Sequence, residues 1–125
     1  MKSCSITLIL SSAILLTSAA EHAQGQALNK CTSGSAMESD GCLISQRDKE
    51  ATKNKELIKK IKKKRPDVAG DLDRVALMEK TYRKEYCTLI GALEDGEPQW
   101  RGVWALHCEV EELHRFNHSL ANYSK

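Results

Sequence analysis

The sequence predicts an all-α protein: a small disulfide-linked helical bundle of about three helices, the last two forming an antiparallel hairpin. Three observations carry this. Apolar residues recur at helical spacing through three successive segments; only two prolines and seven glycines interrupt 125 residues; and four cysteines stand where they can staple the connections. A chain this short holds one small core, and its sparse turn residues argue against a β-sandwich.

The N-terminal stretch is read as a leader rather than as part of the fold. Lys2 provides a basic start, and the apolar run from Ile6 to Leu16 is too short and too serine-rich to span a bilayer, which is the layout of a secretory signal peptide. Residues 1–25 are assigned to it, with cleavage before Gln26 preferred over cleavage before Glu21. Residues 26–125 form the single domain. No transmembrane segment remains after cleavage, so a periplasmic or secreted protein is expected.

Removing the leader takes Cys4 away and leaves Cys31, Cys42, Cys87 and Cys108 in an oxidising compartment, where two disulfides are the default. Four cysteines permit three pairings. The midpoint of Cys87 and Cys108 falls inside Glu94-Asp95-Gly96-Glu97-Pro98, the strongest turn signal in the chain, so helices folded back there bring the two sulfurs level. Cys31 with Cys42 then closes a short loop, and these local bridges are preferred to either crossed arrangement. The spacings do not match the short Cys-x-x-Cys knuckles of zinc sites.

A Ser/Gly-rich opening from Gln26 to Gly41 leads into a first helix marked by Ile44, Ala51, Ile58 and Ile61, which Pro66 stops. Asp67 or Asp71 can cap a second helix with Val68, Leu72, Val75, Tyr82, Tyr86, Leu89 and Leu93 on its apolar stripe, the best amphipathic segment in the chain. After the Gly96 turn, Trp100, Val103, Trp104, Leu106, Val110, Leu113, Phe116 and Leu120 mark a third helix that ends near Tyr123.

Charge is unevenly placed. Arg47 to Arg65 carries ten bases and three acids, a net +7, whereas Pro66 to Lys125 carries a net −4. The lysine run lacks interleaved aromatics, so no nucleic-acid partner is expected; a solvated helix face, or an interaction module for an anionic surface, are the alternatives. His107, Glu111, His114 and His118 share one side of the third helix, a spacing that suits a metal and that a polar helix face also produces by chance. Metal binding is therefore only the alternative reading, and no cofactor is expected. No phosphate-cradling glycine loop and no Gly-x-Ser-x-Gly elbow occurs, so the chain is read as a non-enzyme.

Tyr82-Arg83-Lys84-Glu85-Tyr86-Cys87 resembles the Tyr-Arg-Asp-x-x-Cys signature of the lysozyme-inhibitor family called LprI-like. The resemblance extends to the early cysteine pair (Cys31, Cys42), a charged helix, a glycine-containing loop, and a last cysteine (Cys108) followed by Leu113 and Arg115. Ala76 and Glu79 stand where the family has Gln and Trp, and Lys84 replaces its Asp. The resemblance implies a small helical envelope protein whose partner is lysozyme or another peptidoglycan hydrolase. Animal lysozymes are strongly basic, so docking is expected through acidic residues: Glu94, Asp95 and Glu97 at the hairpin tip, or Glu109, Glu111 and Glu112 on the last helix. Arg83 is a candidate partner contact, against the simpler reading of a helix-surface arginine paired with Glu79.

Overall fold

The computed structural model describes residues 31–94 and 96–125; the proposed leader, Cys4 and Asp95 lie outside the described residues. Among those described, the chain is helical throughout: α1 (Ala36–Lys64), a 3-10 turn (Pro66–Val68), α2 (Ala69–Leu93) and α3 (Pro98–Ala121). The expected all-α bundle is what forms, with Cys31 bonded to Cys42 and Cys87 to Cys108.

Helix α1 starts earlier than the glycine-rich opening suggested. Ser35 is its N-cap and Glu38 completes a capping box: the Glu38 amide donates to Ser35 Oγ at 3.3 Å, and Glu38 Oε2 accepts from the Ser35 amide at 2.9 Å. That bond from the Ser35 amide, with a second from its hydroxyl, holds the Glu38 carboxyl below its ordinary range. Two satisfied donors outweigh the presence of Gly41 inside the helix. At the other end Pro66 stops α1 as expected, leaving Arg65 at φ −132° and ψ 71° and bonded to Asp67. Neither Asp67 nor Asp71 caps α2: Asp67 holds Arg65, and Asp71 accepts from Arg74.

Helix α3 is the centre of the molecule. It packs along α1 and along α2, which meet each other mainly around the 3-10 turn. Two apolar clusters fill the α1–α3 seam, one around Cys31, Leu43, Val103 and Val110, the other around Leu57, Ile61 and Leu120. The buried stripe of α1 is Ser39, Leu43, Leu57 and Ile61; of the expected residues Ile61 is buried, Ile58 is half-buried against the second cluster and Ala51 is half-buried, whereas Ile44 is exposed.

Between the two clusters lies a polar layer. Asn117, fully buried, donates to the Glu50 carbonyl oxygen and to Glu50 Oε2, both at 2.8 Å, and its Oδ1 accepts from Asn54 at 2.8 Å. His114 Nδ1 lies 3.3 Å from Glu50 Oε1. Such a layer fixes helix register, because sliding α1 by one turn leaves Asn117 buried without partners. Burial pushes the Glu50 carboxyl upward, but the hydrogen bonds from Asn117 and His114, with Lys53 nearby, outweigh it and hold the group below its ordinary range. A depressed native value makes the protein most stable above the ordinary glutamate range, with that contribution lost as pH falls through the lower native value. The melting temperature is accordingly expected to drop between about pH 5 and pH 3, and Glu50→Gln to flatten that drop; thermal melts followed by circular dichroism at stepped pH check both.

Helix α2 departs most from expectation. Its buried residues are Arg83, Cys87 and Gly91, none of them a large apolar side chain. Gly91 permits the close approach to α3, since a Cβ there would lie 2.4 Å from the Arg101 carbonyl oxygen and 2.8 Å from Ala105 Cβ. Most of the residues read as its core stripe face solvent instead: Val75, Tyr82, Leu89 and Leu93 are exposed, as are Leu77 and Met78, whereas Leu72 is half-buried against the second cluster. The hairpin turn needs its glycine: Gly96 has φ +145°, in the region that disfavours side chains.

Candidate docking site

Three of the acidic residues suggested at two separate places, Glu94, Glu111 and Glu112, line one groove. The crossing of α2 and α3 beside the Cys87–Cys108 bridge leaves a groove of about 280 Å³, lined by Tyr86, Ile90 and Glu94 from α2 and its cap, and by Trp104, His107, Glu111, Glu112 and Arg115 from α3. Helical spacing explains the set: Tyr86, Ile90 and Glu94 follow one another at four-residue steps, and Trp104, His107 and Glu111 at steps of three and four.

The groove has an aromatic floor and a carboxylate rim. Trp104 sits edge-on to the His107 ring with centroids 6.2 Å apart and is tilted against Trp100 at 6.3 Å. Tyr86 stacks on Tyr82 at 5.5 Å, which joins the groove to the exposed apolar stripe of α2. Of the rim acids, Glu112 is paired with Arg115 at 2.9 Å, while Glu111 approaches His107 at 3.8 Å and Glu94 is exposed at the C-cap of α2. Glu97 is exposed at the N-cap of α3 and accepts a bond from Gln99. A larger, more open depression on α1 is lined by Gly41, Ile44, Ser45, Asp48, Lys49 and Thr52, its two charges of opposite sign.

No known family model, curated protein or solved structure matches the chain.

The other expected site residues separate. Arg83 points into the molecule rather than to solvent. It is only 9% exposed, turned into the α2–α3 contact, where Nε donates to Glu79 Oε1 at 2.7 Å and Nη1 lies 3.8 Å from Glu109 Oε2. The pairing with Glu79 was legible from the four-residue spacing; its burial and its second carboxylate on α3 were not. Glu109 is thereby withdrawn from the acidic face that its neighbours form.

The four residues read as an alternative metal site are likewise divided among different partners. His107 belongs to the groove with Glu111, His114 is turned to Glu50 on α1, and His118 is exposed. Among the described residues no group of three His, Cys, Asp or Glu side chains is placed to hold a metal ion. Sharing one side of a helix is thus insufficient here: His107 and Glu111 face each other, His114 is drawn to Glu50 on α1, and His118 stands apart in solvent. No described helix is long and apolar enough to cross a membrane.

Proposed function

We propose that the protein is an exported, disulfide-bonded binding protein that docks a basic protein partner on its α2–α3 face, and that this partner is a cell-wall hydrolase of the lysozyme kind, which it inhibits. The observation that carries the reading is the continuity of that face. An apolar stripe of Val75, Met78, Tyr82 and Leu89 leads through stacked Tyr86 into a groove rimmed by Glu94, Glu111 and Glu112. Exposed apolar surface of this extent on one helix marks an interaction site, and aromatic groups beside charge are the usual anchors of one.

The rim also chooses the sign of the partner. A strongly cationic protein is attracted to the carboxylates, and the +7 stretch that would repel it lies on α1, which packs on α3 through a different set of residues. The Tyr-Arg-x-x-x-Cys resemblance supplies the hydrolase as the specific partner. Purified protein is expected to slow lysis of bacterial cell walls by lysozyme at micromolar concentration. A Glu94→Lys, Glu111→Lys variant is expected to inhibit at least tenfold less well, with a melting temperature nearly unchanged. Undiminished inhibition by that variant removes the groove as the docking site; an inert wild-type protein removes the hydrolase.

A further inference from the structure

The outer side of α1 carries a cationic array that the docking face does not use. Lys49, Lys55, Lys59, Lys60 and Lys63 are exposed and make no hydrogen bond or ion pair, and Lys53, also exposed, lies beside Glu50. Helical spacing arranges them in two rows that span about 21 Å of helix axis: Lys49, Lys53, Lys60 and Lys63 follow steps of four, seven and three, and Lys55, Lys59 and Lys63 follow steps of four.

The acids that the sequence places among these lysines offset them only in part, Glu50 lying beside Lys53. Asp48 is paired with Arg47, and Glu50 is turned into the α1–α3 seam toward Asn117 and His114. Glu56 remains as the counter-charge facing solvent between Arg47 and Arg65. Nearby bases that do find partners are consumed at the end of the helix, where Lys62 meets Asp73 and Arg65 meets Asp67. Like charges four residues apart destabilise a helix. Four such pairs, Lys49 with Lys53, Lys55 with Lys59, Lys59 with Lys63 and Lys60 with Lys64, stand in a chain with seventeen acids, most of them placed elsewhere.

From this array we infer that the outer face of α1 binds a linear polyanion of repeating phosphate groups, held along the helix axis. Charge complementarity favours this occupant, and so does the composition of the face. Between Ser45 and Lys64 the exposed positions are Ser, Thr, Asp, Glu and Lys. With no exposed aromatic to stack on a base and no exposed aliphatic group to enter a bilayer, recognition there is by charge and spacing alone. The inference is independent of the hydrolase reading, since it uses the other flank of α3; together the two faces make the molecule bipolar, able to sit on an anionic polymer while its acidic groove stays open.

Long-chain inorganic polyphosphate is the probe, with binding to the full mature protein followed by fluorescence anisotropy across a salt series. Each phosphate neutralised contributes about −0.7 to the slope of log K against log salt, so five engaged lysines give a slope near −3.5. A Lys49→Gln, Lys60→Gln, Lys63→Gln variant is expected to bind at least tenfold more weakly, with a slope shallower by about 2 and an unchanged helical circular dichroism spectrum. A Lys80→Gln, Lys84→Gln variant on α2 is expected to bind as wild type. A wild-type slope shallower than about −1, equal losses in the two variants, or retention by vesicles of anionic phospholipid without binding to polyphosphate overturns the inference.

Discussion

A Cys87→Ser, Cys108→Ser variant is expected to lose about 3 kcal/mol of folding stability, and to lose it chiefly from α2. The bridge closes a loop between residues 21 apart, and the loop-entropy cost released on opening it is similar to that for Cys31–Cys42, whose separation is 11. The two bridges differ in what else holds the joined parts. Around Cys31–Cys42 the first apolar cluster, with Leu43, Val103 and Val110, keeps α1 on α3. Around Cys87–Cys108 the buried residues of α2 are the cysteine itself, Arg83 and Gly91, so little apolar burial remains once the link is cut. Urea unfolding with amide hydrogen exchange reads the difference: α2 amides are expected to exchange well before those of α1 and α3, a local opening rather than a uniform loss. If the Cys31→Ser, Cys42→Ser variant behaves identically and α2 stays protected, the bridge is not what secures that helix.

The same weakness of α2 explains which parts of the fold could be read in the sequence. Helix existence, the Pro66 stop, the Gly96 turn and the two bridges follow from local signals: backbone restriction, a glycine at positive φ, and cysteines equidistant from a turn. Facing direction does not. Val75, Tyr82 and Leu89 keep a clean apolar period, and period says only that one side differs from the other, not which side meets the neighbour. What decides for α2 is a backbone approach at Gly91 and the covalent link at Cys87, which together turn the Arg83, Cys87 and Gly91 side toward α3, a side that a search for apolar residues passes over. On α1 the expectation holds at Ile61 and fails at Ile44, which yields to Leu43, because the seam there includes polar Ser39, Glu50 and Asn54, which a search for apolar residues passes over. The candidate site was legible in its acids, named at the tip and on the last helix. That Glu94 and Glu111 share one groove depends on the crossing of α2 and α3 and on Tyr86 and Trp104, which read as ordinary core aromatics.

Arg83→Ala is expected to cost about 3 kcal/mol, at the lower end of what breaking a buried ion pair costs, and far more than an exposed helix pair is worth. The guanidinium touches two carboxylates from different helices, Glu79 on α2 at 2.7 Å and Glu109 on α3 at 3.8 Å, with the arginine side chain 11% exposed. Removing it leaves both carboxylates at the α2–α3 contact without their shared cation. Arg83→Lys is expected to recover little, because an ammonium cannot reproduce the planar fork that reaches both acids. The double replacement Arg83→Ala with Glu109→Gln is expected to be more stable than Arg83→Ala alone, since it withdraws one of the two stranded charges. Chemical denaturation of the set measures this coupling directly. A loss below about 0.5 kcal/mol for Arg83→Ala, with no rescue by Glu109→Gln, returns this arginine to the status of a surface group. A large loss with rescue makes it the electrostatic tie between the two helices, and explains an arginine one turn before a disulfide cysteine without invoking any partner.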